Sequence, residues 1–127
     1  MASSTLHAIA IAQVRKTNPA FYQEYCDLVE GISQLIAKLA NKHADTLGFT
    51  SYTETFDHAS NEPVLQILLG VNKNDFYLHI YIHKDHYFLI GKSGSGTVAK
   101  TARQALQFIS EKLQSIAWYT TPYLQAK

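Results

Sequence analysis

The side chains best suited to chemistry sit in one run, Phe76 to Phe88 (FYLHIYIHKDHYF), where His79, His83 and His86 stand among Tyr77, Tyr81 and Tyr87. Imidazoles ligate transition metals, carry protons near neutral pH and pack at interfaces. Spacing decides which of these is open to them. On an extended strand His79 and His83 share a face but lie about 13 Å apart by Cα, at a rise of roughly 3.3 Å per residue, too far for one ion. If the chain folds back through Lys84-Asp85, His83 and His86 face each other at about 4.5–5.5 Å, close enough to be two ligands. A third ligand has to come from elsewhere, with His58 and Glu62 the candidates. Nothing in the sequence brings either one there. The expectation is therefore no metal and no cofactor, with the histidines as contact residues whose titration makes binding at this face sensitive to pH.

Other chemistry has less support. Cys26, the single cysteine, lies in no activating motif and reads as a small buried or half-buried filler. Ser93 and Ser95 belong to a Gly-rich loop without a Gly-x-Ser-x-Gly elbow. That loop, GKSGSGT, has the letters of a phosphate-binding loop but not the order Gly-x-x-x-x-Gly-Lys-Ser/Thr. Its N–H groups, with Lys92 and a following helix, can hold an anion, yet a flexible link from strand to helix is the simpler reading.

The elements that must position these residues follow from periodicity. Leu6 to Val14 (LHAIAIAQV) fits either an extra strand or a short helix, and the sequence leaves both open. Asn18-Pro19 is a helix start, with Asn as cap and Pro at the first turn. From Pro19 to about Asp45, Phe21, Tyr25, Leu28, Val29, Ile32, Leu35, Ile36 and Leu39 recur at threes and fours, and Gly48 is the expected stop. Phe49 to Phe56 and Val64 to Val71 read as strands separated by the turn residues DHASNEP.

Asn72 to Asp75 (NKND) reads as a four-residue hairpin loop, which pairs Val71 with Phe76, Leu69 with Leu78, Ile67 with Ile80 and Leu65 with Ile82. Every one of those pairs is apolar. Continuing through Lys84-Asp85 pairs Ile82 with Tyr87, Ile80 with Leu89, Tyr81 with Phe88 and His83 with His86; the alternative is one long bent strand with a bulge near Lys84. Gly91 to Gly96 is punctuation. Thr97 then caps a last helix near 97–117, with an apolar stripe from Val98 through Ala102, Ala105, Leu106, Ile109, Leu113 and Ile116 to Ala117. The expected fold is α+β: an antiparallel sheet of three to five strands, with helices near 19–45 and 97–117 packed on one face, in a single domain spanning 1–127.

Composition narrows the classes. At 127 residues, with 46% hydrophobic and 17% charged residues, the chain suits a domain with its own core rather than a disordered polymer. One cysteine excludes an internal disulfide and points to a reducing, cytoplasmic setting. No run approaches the roughly 20 apolar residues of a membrane helix, and no basic segment precedes Leu6 to Val14, so neither a membrane partner nor a secretion signal is expected. The net charge of +1 exerts no general pull on nucleic acid. Between Glu24 and Glu62, seven acids oppose Lys38 and Lys42, and from Lys84 to Lys127 six bases oppose Asp85 and Glu111. The folded surface either separates these charges into two ends or interleaves them.

The run Gly94 to Arg103 (GSGTVAKTAR) resembles the loop and start of the last helix in double-stranded-RNA-binding domains, where a Gly-rich turn leads into a Lys-Lys-x-Ala-Lys helix start. Lys100, Ala102 and Arg103 match positions of that pattern; Ala99 replaces its first lysine, and Pro19 to Asp45 has no counterpart of the family's groove-contacting first helix. The resemblance covers about 15 residues and implies a helix, three strands and a helix, with RNA contacts from the last helix start. The alternative function is nucleic-acid binding through Lys92, Lys100 and Arg103, to which a second, mechanical route independent of the resemblance adds Tyr77, Tyr81 and Phe88 as a stacking platform for single-stranded bases.

The leading expectation is different. Tyr77, His79, Tyr81, His83, His86 and Phe88, with Leu68 and Ile90 beside them, form an uncharged aromatic face of the kind found at protein interfaces. The chain thus reads as a small non-catalytic protein-binding module, whether adaptor, toxin-neutralising protein, chaperone or homodimer, with the acidic Glu24 to Glu62 region steering a basic partner. An enzyme built on the histidines ranks third.

Overall fold

The computed structural model describes residues 2–42, 47–71, 74–91, 94 and 96–114. Asn72 and Lys73 of the expected hairpin loop, Lys92, Ser93, Ser95 and the run Ser115 to Lys127, with Ile116 and Ala117 at the expected end of the last helix, lie outside the described residues. Among those described, three helices accompany a five-stranded antiparallel meander.

The open choice at the N-terminus resolves to helix. Helix α1 (Ser3–Thr17) buries His7 and Ile11, with Ser3, Ala10 and Val14 half-buried along the same stripe, while Ile9 is left exposed. The alternation visible in the sequence is thus coincidental; spacing at fours decides the buried face. His7 fixes the helix in place. Its Nδ1 lies 2.8 Å from the Thr55 carbonyl oxygen and its Nε2 2.8 Å from the Tyr25 hydroxyl. A carbonyl can only accept, so Nδ1 carries the proton and Nε2 accepts from Tyr25.

Asn18 closes α1 through its N–H to the Val14 carbonyl (2.8 Å) and opens α2 (Pro19–Lys42), its Oδ1 accepting from Phe21 N–H at 3.2 Å. The expected cap and first-turn proline are both present. Phe21, Tyr25, Leu28 and Ile32 form the buried stripe of α2, and Cys26 is a free, half-buried thiol next to it. Gly48 does not end this helix. It lies within β1 (Leu47–Asp57), at the register shift between Leu47 and Phe49.

The remaining strands are β2 (Glu62–Val71), β3 (Asn74–Ile82), β4 (Tyr87–Gly91) and β5 (Gly96–Ala99), ordered β1-β2-β3-β4-β5. The turn into β2 is built on Asp57, whose carboxylate accepts from the Ser60 N–H and hydroxyl, and ends on Asn61 at a positive φ of 61°.

The β2–β3 register differs from the expected one by two residues. Leu69 pairs with Phe76, Ile67 with Leu78 and Leu65 with Ile80, and Asn74 and Asp75, expected in the loop, pair with Val71 and Gly70. A slip of two keeps every side chain on its face, which is why the apolar pairing looked equally good either way. The β3–β4 hairpin has the expected register, with Ile82 opposite Tyr87, Tyr81 opposite Phe88 and Ile80 opposite Leu89.

The second correction concerns the last helix. Thr97 does not cap it; Thr97 and Val98 sit in β5, opposite Leu89 and Phe88. Helix α3 (Ala102–Gln114) starts five residues later, where the Thr101 hydroxyl accepts from Gln104 N–H (3.1 Å) and the Gln104 side chain accepts from Lys100 N–H (2.8 Å). That reciprocal cap, together with Glu24 reaching across from α2 to accept from Ala102 N–H at 2.6 Å, satisfies donors that a start at Thr97 leaves open. It also sets aside the order implied by the RNA-binding resemblance, since Lys100 precedes the helix and five strands replace three.

All three helices join one core. Ile11 of α1, Tyr25, Leu28 and Ile32 of α2, and Ala105, Ile109 and Leu113 of α3 cluster with Leu65, Ile67, Leu69, Leu78, Ile80, Ile82, Tyr87 and Leu89 of the sheet. Each fully buried Leu or Ile there contributes about 1.5–3 kcal/mol. Gly31 permits the close approach of α2 and α3, since a Cβ on it would lie 2.5 Å from a Leu106 methyl. The other sheet face receives no helix among the described residues.

Candidate interaction surface

Strand alternation places the residues opposite the helices, and the ladder aligns them in rows. One row runs Thr53, Gln66, His79, Ile90, Gly96; the next runs Thr55, Val64, Tyr81, Phe88, Val98. Beyond His79, Leu68 pairs with Tyr77. Beyond Tyr81, the hairpin closes with His83 N–H donating to the His86 carbonyl at 2.9 Å. Four of the six expected contact residues, Tyr77, His79, Tyr81 and Phe88, thus lie in adjacent rows, and the other two, His83 and His86, lie at the hairpin beyond them. None of the five strands contains a lysine or arginine.

Most of these side chains are half-buried by their neighbours, while Val98 is 57% exposed and Val64 is covered. Tyr81 and Phe88 approach at 6.4 Å between ring centroids, and Tyr77 and His79 at 5.2 Å. A shallow groove of about 440 Å³ runs between Gln66, Leu68, Tyr77, His79, Tyr81 and Ile90. The Gln66 amide nitrogen lies 3.1 Å from His79 Nε2 and donates to it, leaving the proton of the neutral ring on Nδ1. Burial lowers the His79 pKa from 6.5, partly opposed by Asp57, so this imidazole stays neutral at pH 7.

Gly96 has a role that a linker reading does not suggest. A Cβ there would lie 2.4 Å from the Phe88 ring, so the end of the ring occupies the space above the glycine. The signal available in the sequence was only that Phe88 precedes a glycine-rich run.

One end of the face is ionisable. His83 Nδ1 contacts the Glu62 carboxylate, and His86 Nδ1 lies 2.7 Å from Asp85 Oδ1. The two rings pack at 4.5 Å between centroids. The His86 hydrogen bond pulls the Asp85 carboxyl below its usual range, with a smaller effect from Lys100. Glu62, one of the two candidate third ligands, has reached His83 but occupies Nδ1; His58 is exposed and packs on Phe56 at 5.5 Å. Among the described residues, no group of three His, Cys, Asp or Glu side chains is placed to hold a metal ion.

The cationic candidates are elsewhere. Lys100 and Arg103 are exposed at the β5–α3 junction, and Arg103 lines a groove with Glu24 and Asp27. The acidic and basic stretches of the sequence therefore interleave there. Among the described residues no helix is long and apolar enough to cross a membrane. Comparison with family models, curated proteins and solved structures finds no match to this chain.

Proposed function

We propose that the chain is a non-catalytic protein-binding module that docks its partner on the open sheet face. The observation that carries this reading is the uncharged patch of Leu68, Tyr77, His79, Tyr81, Phe88, Ile90 and Val98, on the face turned away from all three helices. Aromatic rings held rigidly on a sheet bury area on binding at little entropic cost, and Tyr and His keep a polar atom for orientation. The absence of Lys and Arg from the strands argues against the stacking platform, which needs cations to offset phosphate charge. Binding is expected in a cytoplasmic setting and to weaken as His79 becomes protonated in acid.

The test is site-specific photo-cross-linking in cells producing the chain, with the reactive group at Tyr77 or Val98 and, as a control, at exposed Gln34 of α2. Discrete protein adducts from the sheet positions, absent from Gln34 and lost in Tyr81→Ala with an unchanged circular dichroism spectrum, support the reading. Adduct size separates a second copy from a different protein. Equal adducts from both faces defeat it. So does salt-dependent RNA or DNA retention that disappears in Lys100→Glu with Arg103→Glu.

A further inference from the structure

We propose that His83 and His86 form a two-histidine site for a divalent transition-metal ion, with Glu62 and Asp85 as the carboxylates that set their tautomers. This inference does not depend on the docking reading. The backbone comes first: the His83 N–H to His86 carbonyl bond (2.9 Å) closes a turn of only Lys84 and Asp85, which brings the two side chains together at the end of the hairpin. Their ring centroids are 4.5 Å apart with planes inclined at 35°.

The carboxylates then decide which nitrogens are available. Glu62 meets His83 at Nδ1 and Asp85 meets His86 at Nδ1, 2.7 Å away. A carboxylate only accepts, so both Nδ1 atoms carry protons, and the lone pair of each neutral ring lies on Nε2. Metal-binding histidines generally donate their second nitrogen to a carboxylate or carbonyl in this manner, which orients the ring and raises its basicity. Finding that partner on both members of a facing pair is the feature that distinguishes them from the other described histidines. His7 is buried and bonded at both nitrogens, and His79 accepts from Gln66 at Nε2.

Access and charge agree with the assignment. The side chains of His83 and His86 are 30% and 36% exposed, open to ions from solvent. The charges around them are Glu62, Asp85 and Asp57 against Lys84 and Lys100. Two imidazole nitrogens suit Cu²⁺, Ni²⁺ and Zn²⁺ rather than Mg²⁺ or Ca²⁺, which seek oxygen. With no third ligand among the described residues, water completes the coordination, and the ion is exchangeable rather than a folding cofactor. The Irving–Williams order puts Cu²⁺ above Ni²⁺ and Zn²⁺.

The experiment uses the full, tag-free chain titrated with Cu²⁺, Ni²⁺ or Zn²⁺ alone, by calorimetry and by imidazole NMR. The expected result is one ion per chain, Cu²⁺ tightest, with the His83 and His86 ring signals broadened by substoichiometric Cu²⁺ before any other histidine. Glu62→Gln should weaken binding about 10- to 100-fold. His83→Ala with His86→Ala should abolish it, while His58→Asn and His79→Asn leave it unchanged. Undiminished affinity in the double alanine variant, or earlier broadening at His58, overturns the proposal. The NMR criterion applies to the unmodified chain and so holds even if a variant fails to fold.

Discussion

Replacing Tyr87 by Phe removes a single oxygen atom from the middle of the core. Tyr87 is 0% exposed, its ring packs on Phe21 at 4.8 Å between centroids, and its hydroxyl has no hydrogen-bond partner among the described residues. Burial, reinforced by Glu24, Asp27 and Cys26, raises its pKa above the ordinary 10.0, so at pH 7 the hydroxyl is neutral but stripped of water. An unsatisfied buried hydroxyl costs about 1–3 kcal/mol relative to its hydrated state. The Phe variant avoids that cost and forfeits only the dispersion contacts of one atom, each worth about 0.1–0.2 kcal/mol. The net expectation is a stabilisation of about 1–2 kcal/mol. Urea denaturation at pH 7 should show a higher midpoint with an unchanged m value. A loss of 1 kcal/mol or more would refute the reasoning, because it would mean that the hydroxyl donates to a group such as the Glu24 carboxylate.

Three further expectations concern other parts of the molecule. Tyr25, Tyr52 and Tyr87 all have pKa values raised above 10.0, mainly by burial, so the unfolded chain releases phenolic protons that the folded chain retains. Stability should be whole below pH 10 and fall above it, by about 1.4 kcal/mol per pH unit for each of the buried Tyr25 and Tyr87; a urea midpoint unchanged between pH 9 and 11 would contradict this. Glu24→Ala removes the acceptor for Ala102 N–H at the start of α3 and should cost about 1–2 kcal/mol in the same assay, whereas a neutral result would show that the Thr101 and Gln104 cap suffices. Gly96→Ala displaces the Phe88 ring while sparing the core, so cross-linking from Val98 should fall with little change in stability; unaltered adducts would exclude Phe88 from the contact face.

Much of the architecture was legible because periodicity is a local property. Alternation along Phe76 to Ile82 sorted core from surface whichever partner the strand took, and the threes and fours of Pro19 to Lys42 required a helix whose Asn18 cap could be read directly. Local signals failed where two local solutions were comparable. Leu6 to Val14 alternates like a strand, but His7 reaches both Thr55 and Tyr25 only from a helix laid against β1 and α2. Thr97 and Thr101 both make credible caps; the pairing of β5 with β4 and the reach of Glu24 to Ala102 selected the second.

The register of β2 against β3 belongs wholly to the tertiary structure. A slip of two residues leaves every face intact, so hydrophobic pattern cannot distinguish the two ladders. Extended from Leu65 opposite Ile82, the expected ladder sets Glu62 against Asp85; extended from Val64 opposite Tyr81, the observed one sets it against His83. The sequence alone determined that a Tyr/His face exists and offered a hairpin at Lys84-Asp85 as one of two ways to end it; the β3–β4 pairing selected the hairpin, in which His83 and His86 meet. Only the fold decided that a carboxylate backs His83, because that contact depends on which of two equally apolar registers closes the sheet.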